Sequence, residues 1–175
     1  TATEQDREIG RLLAAANANR ANFFVNAIDS RTQGVDIVTS YQTTLGKGSL
    51  RADLAATFAQ TKLEGPIKTS PQLAGKEDTY FDETSRIFLE AAVPRQKVNL
   101  TLNYRVNKFN IFFRNVYFGA VSEATNNVDN QQEFAAKVVS DLSIGYDIAK
   151  GTNFTIGTNN LFDVYPDLAI PANQS

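Results

Sequence analysis

Lys97-Val98-Asn99-Leu100-Thr101-Leu102-Asn103-Tyr104-Arg105-Val106 alternates without a break: Val, Leu, Leu, Tyr and Val at the even positions, Lys, Asn, Thr, Asn and Arg at the odd ones. A period of two sends the two sets to opposite faces of a β-strand. Asn107-Lys108 follows, and then Phe109-Asn110-Ile111-Phe112-Phe113-Arg114, a noisier stretch with large residues on both faces near Tyr117 and Phe118. Two strands joined by a two-residue turn read as a hairpin.

The same unit stands on either side of this one. Upstream, Val35, Ile37, Thr39 and Tyr41 alternate with Asp36, Val38, Ser40 and Gln42, and Leu45-Gly46-Lys47-Gly48 forms the turn. Leu50, Ala52, Leu54, Ala56 and Phe58 then alternate with Arg51, Asp53, Ala55, Thr57 and Ala59. Downstream, Val138, Ser140, Leu142, Ile144 and Tyr146 lead through Ala149-Lys150-Gly151 to a strand bearing Phe154 and Ile156. Six strands are expected, at residues 20–44, 49–61, 97–106, 109–121, 137–148 and 152–162. A helix is expected over 1–19: Ile9, Leu12, Leu13 and Ala16 fall at helical spacing, Thr3 with Asp6 resembles a capping box, and Asn17-Ala18-Asn19 ends it.

Alternation alone does not say which face is inside, because a soluble β-sandwich shows the same period. Three features favour a membrane wall. The segments approach the ~9–11 residues that a tilted strand needs to cross a bilayer, against ~5–6 for an ordinary strand. The polar face carries charge at Arg51, Asp53, Lys97, Arg105, Arg114 and Asp141, which suits a wet lumen. Tyr41, Tyr104 and Tyr146 each sit three or four residues before a short turn on the apolar face, where a ring can keep its hydroxyl among headgroups. These tyrosines are expected to lie at one level as an interfacial girdle. Short turns at one end and long connections at the other complete the pattern of a transmembrane antiparallel β-barrel. Lys47, Lys108 and Lys150 in the turns fit an interface and any polar turn equally well.

Residues 62–96 and 122–136 are the long connections, and loops of that length are usually functional. They are the candidate ligand-binding segments for a small-molecule substrate. Within the first, Asp82 to Glu90 reads as a short helix whose Ile87 and Phe88 need a surface to cover.

Composition removes most other classes. Among 175 residues there is no Cys and no His, so thiolate metal sites, disulfides and the commonest general base are absent. The balance of 17 basic against 19 acidic residues argues against a nucleic-acid partner. No uncharged apolar run approaches the ~20 residues of a spanning helix. Gly46-Lys47-Gly48-Ser49 lacks the upstream glycine of a phosphate loop, since position 41 is Tyr. The sequons Asn99-Leu100-Thr101 and Asn153-Phe154-Thr155 fall inside strands, and the Asp/Asn cluster at 126–133 lacks the spacing of an EF-hand. Asp82, Glu83 and Glu90 have no nucleophile or imidazole to work with. No enzyme activity, catalytic residue, cofactor or metal is expected. Without an initiating Met or a signal segment, the chain is read as an internal or processed piece of something longer.

Several strings resemble one family. Phe23-Phe24-Val25-Asn26-Ala27-Ile28-Asp29-Ser30-Arg31-Thr32-Gln33-Gly34-Val35-Asp36 is similar to the late-barrel segment of TonB-dependent outer-membrane receptors. Asn159-Asn160-Leu161-Phe162-Asp163-Val164-Tyr165-Pro166-Asp167 resembles the penultimate strand and following loop of that family. Pro94-Arg95-Gln96-Lys97, and Arg114 with Tyr117-Phe118-Gly119-Ala120-Val121, resemble the pattern in between. The resemblance spans residues 20–167. It implies a barrel of ~22 strands, of which this chain supplies about six near the C-terminal end. It further implies a separate plug domain, absent from these residues, which an inner-membrane energy-transducing complex pulls upon. The family's last strand, ending in an aromatic residue, would follow Ser175. The implied place is the outer membrane of a Gram-negative bacterium, and the implied activity is active uptake of a scarce solute. By family frequency that solute is a ferric siderophore or similar iron chelate, with oligosaccharide or cobalamin behind it. A passive porin and a soluble β-sandwich binding module are the alternatives.

An open sheet in lipid would leave two edges of unpaired backbone groups, at several kcal/mol per group. The expectation is therefore that outer-membrane lipid, the remaining barrel strands and the plug are all partners of this segment.

Overall fold

A computed structural model describes residues 4–17, 26–71, 74–79 and 81–174. Six long strands form one antiparallel sheet: β1 (Asp29–Leu45), β2 (Gly48–Glu64), β3 (Gln96–Val106), β4 (Phe109–Phe118), β7 (Lys137–Ala149) and β8 (Thr152–Thr158). Each is hydrogen-bonded to its neighbour in sequence, in the order β1-β2-β3-β4-β7-β8. The short strands β5 (Val121–Ser122) and β6 (Glu133–Phe134) pair separately. Two helices, α1 (Glu4–Ala15) and α2 (Glu83–Glu90), lie outside the sheet.

The hairpin turns occur where the expected residues permit them. Gly46 and Asn107 adopt positive φ (59° and 53°), a region that glycine and asparagine enter at low cost. The third hairpin closes less regularly, with a register shift between Asp147 and Ala149.

Register welds the six alternating patterns into two faces. Ile37 pairs with Ala56, Ala56 with Val98, Val98 with Tyr117 and Tyr117 with Val138. One face is therefore apolar from β1 to β7 at this level. Small Ala56 is buried among its neighbours, but many of the large side chains of this face are uncovered: Val35 is 62% exposed, Ile37 45%, Tyr41 65%, Phe154 60% and Ile156 67%. A soluble sheet would bury such a face against another layer, and among the described residues no layer covers it. The sheet does not close on itself, and the outer edges of β1 and β8 have no ladder partner among the described residues.

Several boundaries differ from the expectation. Residues 20–25 of the expected first strand lie outside the described residues. Those at 26–28 are not strand, because the Ala27 carbonyl accepts from the Lys68 N–H (2.7 Å) instead of from a ladder, and pairing starts at Asp29 opposite Glu64. The fourth strand stops at Phe118, short of 121, where Gly119 N–H turns to the Gln96 carbonyl (2.8 Å). The last strand stops at Thr158, short of 162, where Asn160 and Asp163 take positive φ and the chain leaves the sheet. In the expected first helix the Thr3–Asp6 capping box falls on Thr3, outside the described residues, as does the end of Asn17-Ala18-Asn19. Asn17 itself has φ 48° and follows a helix that ends at Ala15.

β1 and β2 run well past the others at the long-loop end, since β3 starts only at Gln96, opposite Phe58. The free edge of β2 there is satisfied by the loop. Ala59 N–H donates to the Arg95 carbonyl (2.8 Å), and Leu63 N–H donates to the Glu90 carboxylate (2.9 Å). α2 thus sits against β2 because the overhanging edge has donors to place. Ile87 is buried there, but Phe88, expected to cover the same surface, points away and is 63% exposed. With 3.6 residues per turn, adjacent residues cannot share one narrow contact face.

Candidate functional site

The polar face of the sheet holds the charged residues picked from sequence. Arg51 and Asp53 pair at 2.9 Å, and Ser40 donates to the same carboxylate (2.5 Å). Arg105 reaches Asp147 at 3.4 Å, and Lys97 stands 5.2 Å from the ring centre of Phe118. Arg114 and Asp141 are direct cross-strand partners joined by a salt bridge, with Arg114 Nε 2.8 Å from Asp141 Oδ2. Asp36 also accepts from Thr57 (2.7 Å). All six charged residues lie on one face, each with a partner on the same sheet.

Asp141 does more than pair. Its second oxygen accepts from the Asn160 N–H (2.9 Å), where the chain turns off β8 across this face. Asn160 then closes a small loop on itself, accepting from Val164 N–H (2.9 Å) and donating to the Val164 carbonyl (3.0 Å). The family-like string at 159–167 therefore builds a knot fastened to the polar wall. Alternation did not signal this, and the strand was expected to run on to 162.

Tyr41, Tyr104 and Tyr146 share the apolar face, but they do not share one ladder row. Tyr41 is on the row of Ala52 and Leu102. Tyr104 is two residues nearer the turns, on the row of Thr43 and Leu50, and Tyr146 is two nearer again, on the row of Phe109 and Val106. The offset is one residue per strand. At ~3.4 Å per residue and ~4.8 Å between strands, the line through them is inclined ~35° to the perpendicular of the strands. The tyrosines also differ in their partners. Tyr146 packs against Phe109 with ring centres 4.9 Å apart and planes tilted by 56°, whereas the Tyr104 hydroxyl donates to the Leu45 carbonyl (2.9 Å).

The two candidate loops meet at the opposite end. Asp82 caps α2, accepting from Ser85 N–H (2.8 Å), and Asn126 of the second loop donates to the other Asp82 oxygen (2.7 Å) while accepting from Thr84 N–H (2.9 Å). These donors, the Asn126 amide first and then Ser85, hold the Asp82 carboxyl down to about 2. Glu83 is lowered chiefly by its hydrogen bond to Arg86. Further links knit the second loop to the chain after β8: Gln132 donates to the Leu168 carbonyl (2.9 Å) and accepts from Ile170 N–H (2.9 Å). Asp167 accepts from Lys137 (2.5 Å) and from Ala135 N–H (2.8 Å), and both lower it, Lys137 the more. Asp82, Glu83 and Glu90 are all engaged in this way. Asp82 caps a helix, Glu83 pairs with Arg86, and Glu90 serves the β2 edge.

Between the two loops lies an open hollow of about 730 Å³, lined among others by Leu63, Phe81, Asp82, Arg86, Asn126 and Val128. A smaller apolar pocket of about 260 Å³ lies between Pro94, Phe118, Val139 and Tyr165. No group of three or more potential metal ligands occurs among the described residues.

Residues 3–161 match the family model described as TonB dependent receptor-like, beta-barrel. No curated protein and no solved structure matches the chain.

Proposed function

The chain belongs to the TonB-dependent receptor β-barrel family, and from that premise we propose that it forms the late part of an outer-membrane barrel of ~22 strands that takes up a ferric siderophore or related iron chelate. The observation that carries the membrane part is the pair of faces. One is predominantly apolar with most of its large side chains exposed, broken by the Ser140–Asn115 hydrogen bond (2.6 Å), and the other is laid with ion pairs. Lipid covers the first and a wet lumen the second, as in a barrel wall.

The tyrosine stagger supports the same reading. Barrel strands tilt by ~35–45°, so a membrane plane must cut the ladder rows obliquely. The line through Tyr41, Tyr104 and Tyr146 has that slope, and the three mark the periplasmic interface. Measured from that plane, Phe58 and Tyr117 stand about 20 Å away on the same face, close to the height of an outer-membrane apolar band. The long loops then face the medium, and the hollow between α2 and the Asn126 loop is where substrate is first held.

Arg51, Asp53, Lys97, Arg105, Arg114 and Asp141 line the lumen and serve the wall and the plug rather than chemistry. The plug and the inner-membrane energy-transducing complex acting through it supply the moving step, and no residue here is proposed as catalytic. The outer edges of β1 and β8, which have no ladder partner among the described residues, are met by further strands of the same barrel, since each spanning edge would otherwise leave its backbone groups without partners in lipid.

Two experiments test this. Spin labels at Leu100 and Leu102 should report lipid and those at Thr101 and Asn103 water, and the reverse would turn the wall inside out. Cells carrying the receptor should accumulate a labelled ferric chelate only while the inner membrane is energised. Uptake that survives de-energising would make the barrel a passive pore.

A further inference from the structure

On β1 and β2 the apolar face ends at Val35 and Phe58, which are cross-strand partners. Beyond them the same face carries Gln33 opposite Gln60, then Arg31 opposite Lys62, then Asp29 opposite Glu64. Like charges directly opposite one another destabilise a ladder. Asp29 is answered by Lys68 at 2.5 Å. The basic pair is answered poorly: Glu64 stands 3.8 Å from Arg31, whose side chain is 68% exposed, and exposed Lys62 has no ion pair among the described residues.

We propose that Arg31 and Lys62 bind a phosphate of an outer-leaflet glycolipid, an anion that can sit between both cations where Glu64 reaches only Arg31, at 3.8 Å, among the described residues. The inference rests on the membrane reading above but concerns a site that the reading does not require. Position carries it. Arg31 and Lys62 lie four residues beyond Val35 and Phe58, ~11 Å further along the membrane normal at the tilt given by the tyrosines. Their long side chains reach back into a headgroup layer ~5–8 Å deep. A guanidinium offers a fork to two phosphate oxygens and the ammonium a point charge beside it. Gln33 and Gln60, directly beneath, supply amides that both donate and accept, suited to sugar hydroxyls and ester carbonyls. Below them the exposed side chains of Val35 and Phe58 continue into an apolar strip for acyl chains. An amphiphile fits this sequence of surfaces, whereas free phosphate would use only the top of it.

The test uses the intact receptor in detergent, titrated by native mass spectrometry with diphosphoryl lipid A, with dephosphorylated lipid A and with inorganic phosphate. Diphosphoryl lipid A should bind best. R31Q/K62Q should weaken it by roughly thirtyfold, as expected for two basic residues at an anionic lipid surface, while heat-modifiable gel mobility stays unchanged. E64Q, which removes the acidic neighbour, should tighten binding, and it serves as the readout if the double variant fails to fold. Equal binding of the phosphorylated and dephosphorylated lipids, no effect of R31Q/K62Q, no gain in E64Q, or full competition by equimolar inorganic phosphate would each overturn the site. Loss of heat-modifiable mobility in the wild type would instead overturn the membrane reading, and the site with it.

Discussion

The Tyr104 ring packs against Gly48 on the adjoining strand, and its hydroxyl reaches past that glycine to the Leu45 carbonyl (2.9 Å). A Cβ at position 48 would stand 2.7 Å from the ring carbons Cε2 and Cζ and 2.6 Å from the Arg105 carbonyl oxygen. The ring can swing away but the backbone oxygen cannot. Gly48→Ala should therefore destabilise the first hairpin by about 1–3 kcal/mol, the usual range for forced overpacking. Tyr104→Phe, which removes only the hydrogen bond, should cost about 0.5–1.5 kcal/mol. Urea unfolding of the refolded receptor measures both; an unchanged midpoint in Gly48→Ala would mean that the backbone yields to the added Cβ, and one in Tyr104→Phe that the bond to Leu45 contributes nothing.

Asp141 is the joint between the wall and the chain that leaves β8. Its residue exposure is 6%, and it accepts from both Arg114 and the Asn160 N–H. Asp141→Asn keeps an acceptor but leaves the Arg114 charge facing a neutral amide. Arg114 is 42% exposed, so water shares that loss, and about 1–3 kcal/mol is expected, below the ~3–5 kcal/mol of a fully buried pair. Limited proteolysis should show faster cutting at 160–170 in this variant. Unchanged cutting would mean that the Asn160 side-chain bonds to Val164 hold the knot by themselves.

Legibility in the sequence followed physical periodicity. Strands such as 97–106 announced themselves because every second residue meets one solvent, and three short turns then left little freedom in pairing. β4 was noisier because its polar face also carries Phe112, Val116 and Phe118, the last serving as a platform for Lys97. The interlock of loops 62–96 and 122–136 was not legible. It rests on Asn126, and the ties of the second loop to residues 167–170 rest on Gln132 and Asp167, single side chains bonding to backbone groups far away in the chain, and such bonds leave no repeat. The tyrosines were found on the right face but expected on one level of the ladder. Their stagger depends on strand tilt, which is a property of the assembled wall.

Asp82 gives the loop interlock a pH signature. Its folded carboxyl is held down to about 2, below the ordinary ~3.9 of an aspartic acid. A carboxyl that is lowered on folding contributes stability that is complete above its unfolded value and fades as pH falls through the folded one. The contact between α2 and the Asn126 loop should therefore be intact at pH 5, begin to weaken below about pH 4 and be lost near pH 2. Asn126→Ala removes the largest cause of the shift, so it should weaken the contact already at pH 5 and raise the pH at which what remains is fully lost. Hydrogen exchange at the Thr84 and Ser85 amides reads this directly, since both donate into the interlock. Identical profiles for the variant and the wild type would remove Asn126 from that role.

Thr43 and Ile156 stand on one ladder row, linked through Leu50, Tyr104, Ile111 and Ile144. A girdle running along the row would place them at equal depth. The tyrosine line places them five strands apart on a slope, which amounts to ~14 Å along the membrane normal at ~35° of tilt. Thr43 then lies on the turn side of Tyr41, among headgroups, while Ile156 lies well inside the hydrocarbon. Spin labels at the two positions in the reconstituted receptor, compared by oxygen against polar-relaxant accessibility, separate the cases. Oxygen should dominate at 156 and the polar relaxant at 43. Equal ratios would mean that the wall stands upright, and the three tyrosines would then lose their common plane, because without tilt they sit at three different depths.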